Sequence, residues 1–190
     1  MDSEIQKWVV YQSRITKPRP LVTRALPYVK EKGVALDLGA GSLHDVELLL
    51  KEGFKEVIAV DQTPQFREVS CPPESHFTYV EKRFGDYEFP SEHFDLVSAQ
   101  LALPFVAPDE FKKLWSQIHN VLKTGGIFTG QFFSVRDDWF GKNDMTFHSE
   151  EEVHALAHGF EELVFEEQEY TEEIARKKHW HFFDLILRKK

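Results

Sequence analysis

Apolar segments of strand length alternate with amphipathic segments of helical spacing over most of the chain. Five such strands are predicted, at residues 34–38, 56–60, 77–81, 94–99 and 127–133. Helical spacing of apolar residues is clearest from Pro108 onward, and a Ser149–Glu152 capping pattern begins a further helix. Strands that alternate with helices form a mostly parallel sheet with helices on both faces. The pattern therefore predicts an α/β fold, a three-layer sandwich.

The N-terminal part of the chain predicts helices in front of this sheet. Residues 3–15 and 20–32 have helical patterns, and Pro27 removes a hydrogen bond inside the second. A short helix is also predicted after Thr63-Pro64, because threonine is a common N-cap and proline a common first helical residue. We expect residues 1–32 to form a helical cap on the domain that follows.

The C-terminal part predicts two long strands, at 162–170 and 179–188, joined by a charged loop. Sequential strands with a short connection pair antiparallel. The expected architecture is therefore one Rossmann-like domain of residues 33–190. Its seven-stranded sheet is mostly parallel and has an antiparallel last strand. Open sheets of this kind bind ligands at the carboxyl ends of their strands.

Composition and charge narrow the class of protein. The 190 residues are 42% hydrophobic, which suits one packed core, and the net charge of -9 disfavours binding to nucleic acid or to anionic lipid. Cys71 is the single cysteine, so neither an intrachain disulfide nor a cysteine zinc cluster can form. No apolar run approaches the ~20 residues of a membrane span, and the polar N-terminus lacks a signal core. A cytoplasmic protein is expected.

One glycine-containing loop carries the clearest chemical signal. The first predicted strand ends in Asp37-Leu38-Gly39-Ala40-Gly41 and leads directly into a helix, so a ligand can approach the backbone closely. Asp61 ends the second strand, 22 residues after Gly39 (61 − 39 = 22), where a carboxylate can bind ribose hydroxyls. His44 occupies the position that a dinucleotide site needs small, and no Gly-Lys-Ser/Thr follows. These residues indicate a nucleoside cofactor other than NAD.

Five motifs follow one another along the chain: Asp37-Leu38-Gly39-Ala40-Gly41, Val60-Asp61, Gly85-Asp86 with Phe89-Pro90, Phe94-Asp95-Leu96-Val97 and Leu122-Lys123-Thr124-Gly125-Gly126. Through these motifs the chain, from about Gly33 to its C-terminus, resembles the class I methyltransferases that depend on S-adenosyl-L-methionine (SAM). The terminal hairpin resembles the last two strands of that family. Two positions depart from the family pattern: Leu43 replaces a third glycine, and Thr124 replaces a proline.

This resemblance implies SAM as the cofactor and assigns residues to it. Asp61 is expected to bind the ribose and Asp86 the adenine amino group. Arg19 lies before the region of resemblance, and its place in the N-terminal segment suggests that it meets the methionine carboxylate. The cofactor-binding residues expected in this way are Asp37, Gly39, Ala40, Gly41, Asp61, Gln62, Gly85, Asp86, Gln100 and Arg19. Met145–His148 and Lys178–His181 look like the small-molecule branch, which includes tellurite-resistance-like methyltransferases.

The predicted topology also suggests where the methyl acceptor binds. An antiparallel last strand begins at the edge where the parallel strands end, so His179 and His181 are expected near the cofactor. Either could be a general base or orient the substrate, or both could be structural. Methyl transfer needs no metal, and no metal site is predicted. Tyr11, Gln131, Trp139 and Trp180 are expected to line the acceptor site, and residues 136–141 form either a lid or a solvated loop.

Several functions remain open at this point. The leading interpretation is a small-molecule methyltransferase that acts on neither nucleic acid nor membranes. A protein methyltransferase and a non-catalytic SAM-binding regulator would carry the same cofactor motifs. Ser98–Leu101 stands where enzymes that methylate amino groups of nucleic acids have an Asn/Asp-Pro-Pro-aromatic sequence, which disfavours that branch. A nicotinamide-dependent oxidoreductase is disfavoured by His44. The acceptor and the oligomeric state stay unassigned.

Overall fold

A computed structural model describes residues 10–65, 67–173 and 177–190 of the chain. The strands are β1 (Val34–Leu38), β2 (Glu56–Asp61), β3 (His76–Glu81), β4 (Phe94–Ala99), β5 (Leu122–Ser134), β6 (Phe147–His148), β7 (Phe160–Glu173) and β8 (Lys177–Lys189). The α-helices are α1 (Pro20–Ala25), α2 (His44–Lys51), α3 (Pro108–Val121) and α4 (Glu150–Leu156). Short 3-10 helices occupy Leu26–Tyr28, Phe84–Asp86 and Leu103–Phe105.

The strands form one sheet in the order β3-β2-β1-β4-β5-β8-β7, and the short β6 pairs with β5. Strands β1 to β6 pair parallel, whereas β8 runs antiparallel to both β5 and β7. The carboxyl ends of β1, β2, β4 and β5 therefore meet the beginning of β8 at one edge. This arrangement confirms the predicted Rossmann-like fold, with one short strand more than expected.

Helices cover the two faces of the sheet with separate apolar layers. On one face, α3 contributes Phe111 and Trp115, which pack with Phe128 and Phe132 of β5. On the other face, α1 and α2 contribute a second buried cluster, which includes Ile127 of β5 and Ile186 of β8. Alternate residues of β5 and β8 therefore belong to different layers, as the period of a strand requires. We call these two sides of the sheet the α3 face and the α1 face.

Three local predictions are wrong or need adjustment. The described residues between Gln62 and Ser75 contain no helix, because Thr63 donates its N–H and hydroxyl back to Asp61. The helix predicted at 20–32 stops at Ala25 and becomes a 3-10 turn around Pro27. The fifth strand begins at Leu122, five residues earlier than predicted (127 − 122 = 5), and absorbs the glycine pair through a shift in register with β4.

Two other predictions at helix ends have different outcomes. The capping pattern before α4 is confirmed: the Ser149 hydroxyl accepts from the Glu152 N–H, and the Glu152 carboxylate accepts from the Ser149 N–H. Most of the helix predicted at 3–15 lies outside the described residues. Residues 10–12 are helical, and a turn follows them.

Candidate active site

The glycine loop between β1 and α2 adopts a backbone that most side chains would oppose. Gly39 and Gly41 have φ angles of +75° and +42°, in the left-handed region. A Cβ on Gly39 would lie 2.6 Å from the Cβ of Ala102, in the segment that follows β4. The N–H of Gly41 donates to Asp61 Oδ2 at 2.9 Å. Contacts with the carboxyl end of β2 and with the segment after β4 therefore fix the position of the loop.

Three carboxylates surround this loop. Asp37 is buried, and its Oδ2 has no hydrogen-bond partner among the described residues. Burial and the nearby charges of Asp45 and Asp61 raise the pKa of Asp37 well above its ordinary value. Burial also raises the pKa of Asp45, to about 6. Buried carboxylates that repel one another create a site that a cation would stabilise.

The carboxylate of Asp61 has room for a further ligand. Its Oδ1 accepts from the N–H of Thr63 at 2.8 Å and from the Thr63 hydroxyl at 2.7 Å, and its Oδ2 accepts from Gly41. A carboxylate offers about four acceptor positions, so at least one stays available to a hydroxyl of a bound nucleoside. Asp61 is 9% exposed, which leaves its surface reachable from the loop.

The other residues predicted to bind the cofactor lie at the same edge of the sheet. Ala40 is buried within the loop, Gln62 is exposed directly after β2, and Gly85 and Asp86 are exposed in the 3-10 turn after β3. Gln100 is buried just after β4 and donates to the carbonyl of Thr129 at 3.1 Å. The structure thus gathers these positions around the carboxyl ends of β1 to β4.

The segment before α1 lies over the glycine loop. The backbone N–H of Arg19 donates to Asp45 Oδ1 at 2.6 Å, so the main chain of Arg19 contacts the first turn of α2, directly after the loop. The carboxamide of Gln12 lies directly against Gly41, where it would collide with any Cβ at that position. Gln12 was not predicted from sequence, because no periodic pattern or motif marks a long-range contact of this kind.

A chain of polar side chains crosses the α1 face beside this loop. Gln131 donates to Asp184 Oδ1 at 2.9 Å and to Gln100 Oε1 at 3.3 Å, and its own Oε1 accepts from the N–H of Leu101 at 2.9 Å. Gln168 of β7 donates to Asp184 Oδ2 at 3.0 Å. This chain connects the loop after β4 to β5, β8 and β7.

Aromatic rings continue this face toward the carboxyl edge. Trp180 and Phe182 share the face of Asp184 because they lie four and two residues before it on β8. Ring centroids of Trp180 lie 5.0 Å from Trp139 and 5.9 Å from Phe133, and those of Phe182 and Tyr170 are 6.1 Å apart. Tyr11 and Tyr170 are each 48% exposed. The structure thus brings Trp139 and Trp180, both predicted for the acceptor site, into direct contact.

Both predicted catalytic histidines point away from this surface, because they alternate with Trp180 along β8. His181 is completely buried on the α3 face, where Nε2 lies 2.8 Å from Glu167 Oε1 and beside Arg136. Its ring contacts Phe183 at a centroid distance of 5.6 Å. His179 is partly exposed and lies 3.2 Å from Glu169. The two histidines therefore belong to a polar network of the hairpin that includes Glu167, Glu169 and Arg136.

The loop after β5 is fastened to the beginning of β8. Asp137 is buried, and its carboxylate accepts from the N–H groups of Trp139 and His181 and pairs with the Lys178 ammonium. Asp138 Oδ2 accepts from the N–H of His179 at 2.7 Å. Lys178 Nζ also lies over the rings of Trp139 and Trp180, at 4.7 and 4.3 Å from their centroids. These contacts hold the segment predicted as a lid or solvated loop in one position.

The described part of the chain has neither a metal-binding cluster nor a membrane-spanning helix. No cluster of three or more histidine, cysteine, aspartate or glutamate side chains there has the arrangement to hold a metal ion. None of the described helices has the length and apolar character to cross a membrane.

Comparison with known proteins places this site in a family. Residues 36–129 match the family described as a methyltransferase domain. The chain is 26% identical over 170 residues to an uncharacterized protein of Haemophilus influenzae and 32% identical over 96 residues to an uncharacterized methyltransferase of Synechocystis. The match to the Haemophilus protein covers 85% of this chain and 63% of that protein. The match to the Synechocystis protein covers 49% of this chain and 43% of that protein.

Solved structures show the same fold over nearly the whole chain. One is the Burkholderia thailandensis 1,6-didemethyltoxoflavin-N1-methyltransferase with bound 1,6-didemethyltoxoflavin and S-adenosylhomocysteine. Its TM-score is 0.72 at 20% identity, with 99% of this chain and 84% of that one covered. Another is TehB from Haemophilus influenzae, with a TM-score of 0.74 at 14% identity and coverages of 98% and 67%.

The family match and the fold confirm the class predicted from sequence. Residues 36–129 match a methyltransferase domain, and the chain has the fold of the Burkholderia enzyme, which holds S-adenosylhomocysteine. The glycine loop, with its positive φ angles and its unpartnered Asp37 oxygen, fits a ligand that carries positive charge on a sulfonium and an ammonium group.

Proposed function

We propose that this protein transfers a methyl group from SAM to a small-molecule acceptor that binds on the α1 face. The observation that carries the proposal is continuity between two surfaces. Gln131 contacts both the loop after β4, which lies against Gly39, and Asp184 on the aromatic surface of β8. A donor on the glycine loop and an acceptor on the aromatic surface would therefore be neighbours.

The residues of the loop divide the cofactor between them. Asp61 would bind the ribose hydroxyls with its remaining acceptor capacity, and Asp86 would bind the adenine amino group. Asp37 and Asp45 would face the positively charged methionine end, together with the main chain near Arg19. SAM supplies a methyl group already activated on a positively charged sulfur. The protein's task is to hold donor and acceptor in line and to exclude water, which is where most of the rate enhancement of such transfers arises.

The N-terminal residues complete the site in this proposal. Residues 1–32 act as a cap of the same domain rather than as a separate unit. The support is that Gln12 and Arg19 both touch the glycine loop or the helix that follows it. The absence of any possible intrachain disulfide fits the reducing cytoplasm as the compartment.

Calorimetry with SAM and S-adenosylhomocysteine tests cofactor binding directly, and we expect binding in the micromolar range. A protein that releases no heat with either ligand would contradict the proposed function. Turnover is then tested by adding the enzyme and SAM to a cell extract that has been separated by filtration into small molecules and macromolecules. We expect S-adenosylhomocysteine to form with the small-molecule fraction.

The same experiment separates the alternatives. Product formed only with the macromolecular fraction would favour the protein methyltransferase. SAM binding without turnover in either fraction would favour the non-catalytic regulator. The chemistry of the acceptor surface favours a small molecule, because its aromatic rings are partly covered by Trp139 and by the fastened loop after β5.

A further inference from the structure

We propose that Asp184 is the general base of this methyltransferase and that its acceptor is a planar heteroaromatic compound with a ring N–H. The proposal rests on the methyl-transfer function proposed above. It assigns the proton transfer to the α1 face, where the acceptor surface lies, and away from the two histidines of the hairpin.

The position of Asp184 carries the first part of the argument. Asp184 is 8% exposed and lies opposite Gln131 of β5 in the sheet register. Gln131 also accepts a hydrogen bond from the N–H of Leu101. The next residue, Ala102, lies against Gly39 of the glycine loop. Asp184 is thus two side chains away from the loop that binds the methyl donor. His181 is separated from the same loop by the sheet itself.

The hydrogen bonds of Asp184 fix its orientation and leave it able to accept a proton. Gln131 donates to Oδ1 and Gln168 donates to Oδ2, so each oxygen uses one acceptor position and keeps another. Both donors are neutral carboxamides that hold the carboxylate without neutralising it. A base that is held by its neighbours loses little entropy on reaction.

Burial makes Asp184 a stronger base than an exposed aspartate. Burial raises the pKa of Asp184, and the charge of Glu166 on β7 raises it further, whereas the hydrogen bonds of Gln131 and Gln168 and the charge of Arg24 on α1 lower it. Arg24 is itself paired with Glu166, at 2.5–2.8 Å. The direction is upward, toward the pH at which an enzyme base works best.

The chemistry of the neighbouring surface identifies the acceptor class. Phe182 lies two residues from Asp184 on the same face, roughly 7 Å along the strand, and Trp180 lies two residues farther. A flat ring would stack on such aromatic side chains. Among the described residues of this face, Arg24 is paired with Glu166 and Lys178 with Asp137, and Arg19 lies near Tyr170 and Asp45. An oxyanion acceptor such as tellurite would therefore find cations that already have carboxylates beside them.

The proposed step is balanced in atoms and charge. The ring nitrogen forms a bond to the methyl carbon while the carbon–sulfur bond breaks, and the electron pair of that bond stays on sulfur. The N–H proton passes to the Asp184 carboxylate. Sulfonium, carboxylate and N–H acceptor become thioether, carboxylic acid and N-methyl product.

The test measures S-adenosylhomocysteine formed from SAM with four probes: 1,6-didemethyltoxoflavin, xanthine, benzimidazole and tellurite. We expect turnover with at least one N–H heterocycle and none with tellurite. The Asp184→Asn variant should lose about 100- to 10,000-fold in kcat, while its Kd for SAM changes less than ~3-fold. The Glu161→Gln control removes an exposed carboxylate at the opposite end of the same hairpin, where it pairs with Arg188, and should change kcat less than ~3-fold.

A pH profile distinguishes a base from a structural carboxylate. In the wild type, kcat/KM should rise with pH through an apparent pKa above the ordinary aspartate value, and this rise should be absent in Asp184→Asn. If that variant does not fold, Asp184→Glu replaces it. It should keep the pH-dependent rise at a lower kcat, and a flat profile would contradict the proposal.

The outcomes also separate this inference from the proposed function. A wild type that binds SAM but turns over none of the heterocycles overturns the acceptor class and leaves the methyltransferase function standing. Loss of kcat in His181→Asn with retained kcat in Asp184→Asn overturns the assignment of the base. Loss of SAM binding in Asp184→Asn would show a structural role instead.

Discussion

Asp61 Oδ2 accepts a hydrogen bond from the backbone N–H of Gly41 at 2.9 Å, which ties the end of β2 to the glycine loop beside it. The same carboxylate accepts two hydrogen bonds from Thr63 through its other oxygen. Both oxygens therefore face donors from the protein. Asp61 shapes the loop in addition to the contact with ribose that we propose for it.

Asp61→Asn tests this double role. In the variant, the amide NH₂ group would face either the N–H of Gly41 or the N–H of Thr63. In each orientation, one hydrogen bond to a charged acceptor would be lost. We expect the Kd for SAM to rise about 10- to 100-fold, since hydrogen bonds to charged groups contribute about 1.5–3 kcal/mol. Isothermal calorimetry measures the Kd for SAM. Glu81→Gln is the matched control, because Glu81 pairs with Asp61 in register and is exposed. Equal loss of affinity in both variants would contradict a specific role.

SAM binding should depend on pH through Asp45. The pKa of Asp45 is raised to about 6 by burial, so its carboxyl group is partly protonated in the free protein at mildly acid pH. A cationic ligand favours the ionised form, and binding then releases a proton. We expect affinity to increase between pH 5 and pH 7, by at most about tenfold per pH unit. Calorimetry in buffers of different ionisation enthalpy counts the released protons. Asp45→Asn should remove this dependence, and an unchanged profile would refute the role of Asp45.

The same shift predicts how stability changes without ligand. The folded pKa of Asp45, about 6, lies above the 3.8 of a free aspartate. Between about pH 4 and pH 6 this carboxyl group therefore binds more protons in the folded protein than in the unfolded chain, and its contribution to stability falls as pH rises. Asp45→Asn should reduce this fall. Urea denaturation at pH 4.5 and at pH 6.5 gives the comparison, and a fall of equal size in wild type and variant would argue against the shift.

Gly39 should be intolerant of a side chain for two separable reasons. Gly39→Ala places a Cβ on a backbone of positive φ and 2.6 Å from Ala102 Cβ. Gly53→Ala has a positive φ as well, +91°, but meets nothing within 4 Å. The strained backbone alone costs about 1–2 kcal/mol. We expect Gly39→Ala to lower the free energy of unfolding by more than Gly53→Ala and to weaken SAM binding, which Gly53→Ala should not. Equal destabilisation would mean that the contact with Ala102 relaxes freely.

The buried pair of Lys178 and Asp137 should be important for stability. Their side chains are 6% and 0% exposed, and Asp137 also holds the N–H groups of Trp139 and His181. Lys178→Met leaves a buried charge without a partner, which costs about 3–5 kcal/mol. Thermal denaturation should show a large fall in Tm. Lys142→Met is the control, since Lys142 also lies over the Trp139 ring, at 4.3 Å, but is exposed. A fall in Tm no larger than in this control would contradict the importance of the pair.

The sequence predicted the parallel strands and the position of the glycine loop well, because local patterns determine them. Strand-length apolar runs, the glycines of the loop and the 22-residue separation of Gly39 from Asp61 are all readable in order along the chain. The antiparallel direction of the last strand also predicts that Trp180 and His181 lie at the carboxyl edge of the parallel strands, as the structure shows. Which face each side chain occupies was not inferable from the edge alone.

That difference explains why Asp184 was missed. Its neighbours Phe182 and Phe183 interrupt any simple alternation of apolar and polar residues, so the strand pattern does not mark it as a polar position on a buried face. Its partners, Gln131 and Gln168, come from two other strands. The contact of Gln12 with Gly41 is likewise long-range and unmarked by any motif. Such contacts depend on tertiary packing and become visible only in the structure.

The residues of the proposed acceptor surface lie almost entirely beyond the family match, which ends at residue 129. Gln131, Trp139, Gln168, Trp180 and Asp184 all follow that point. The match therefore covers the strands beside the glycine loop, while the late hairpin supplies the wall against which we propose that the acceptor binds. Substrate choice in such a chain can diverge by changes in its last sixty residues without disturbing donor binding. Exchange of this segment between relatives is thus a natural route to altered specificity.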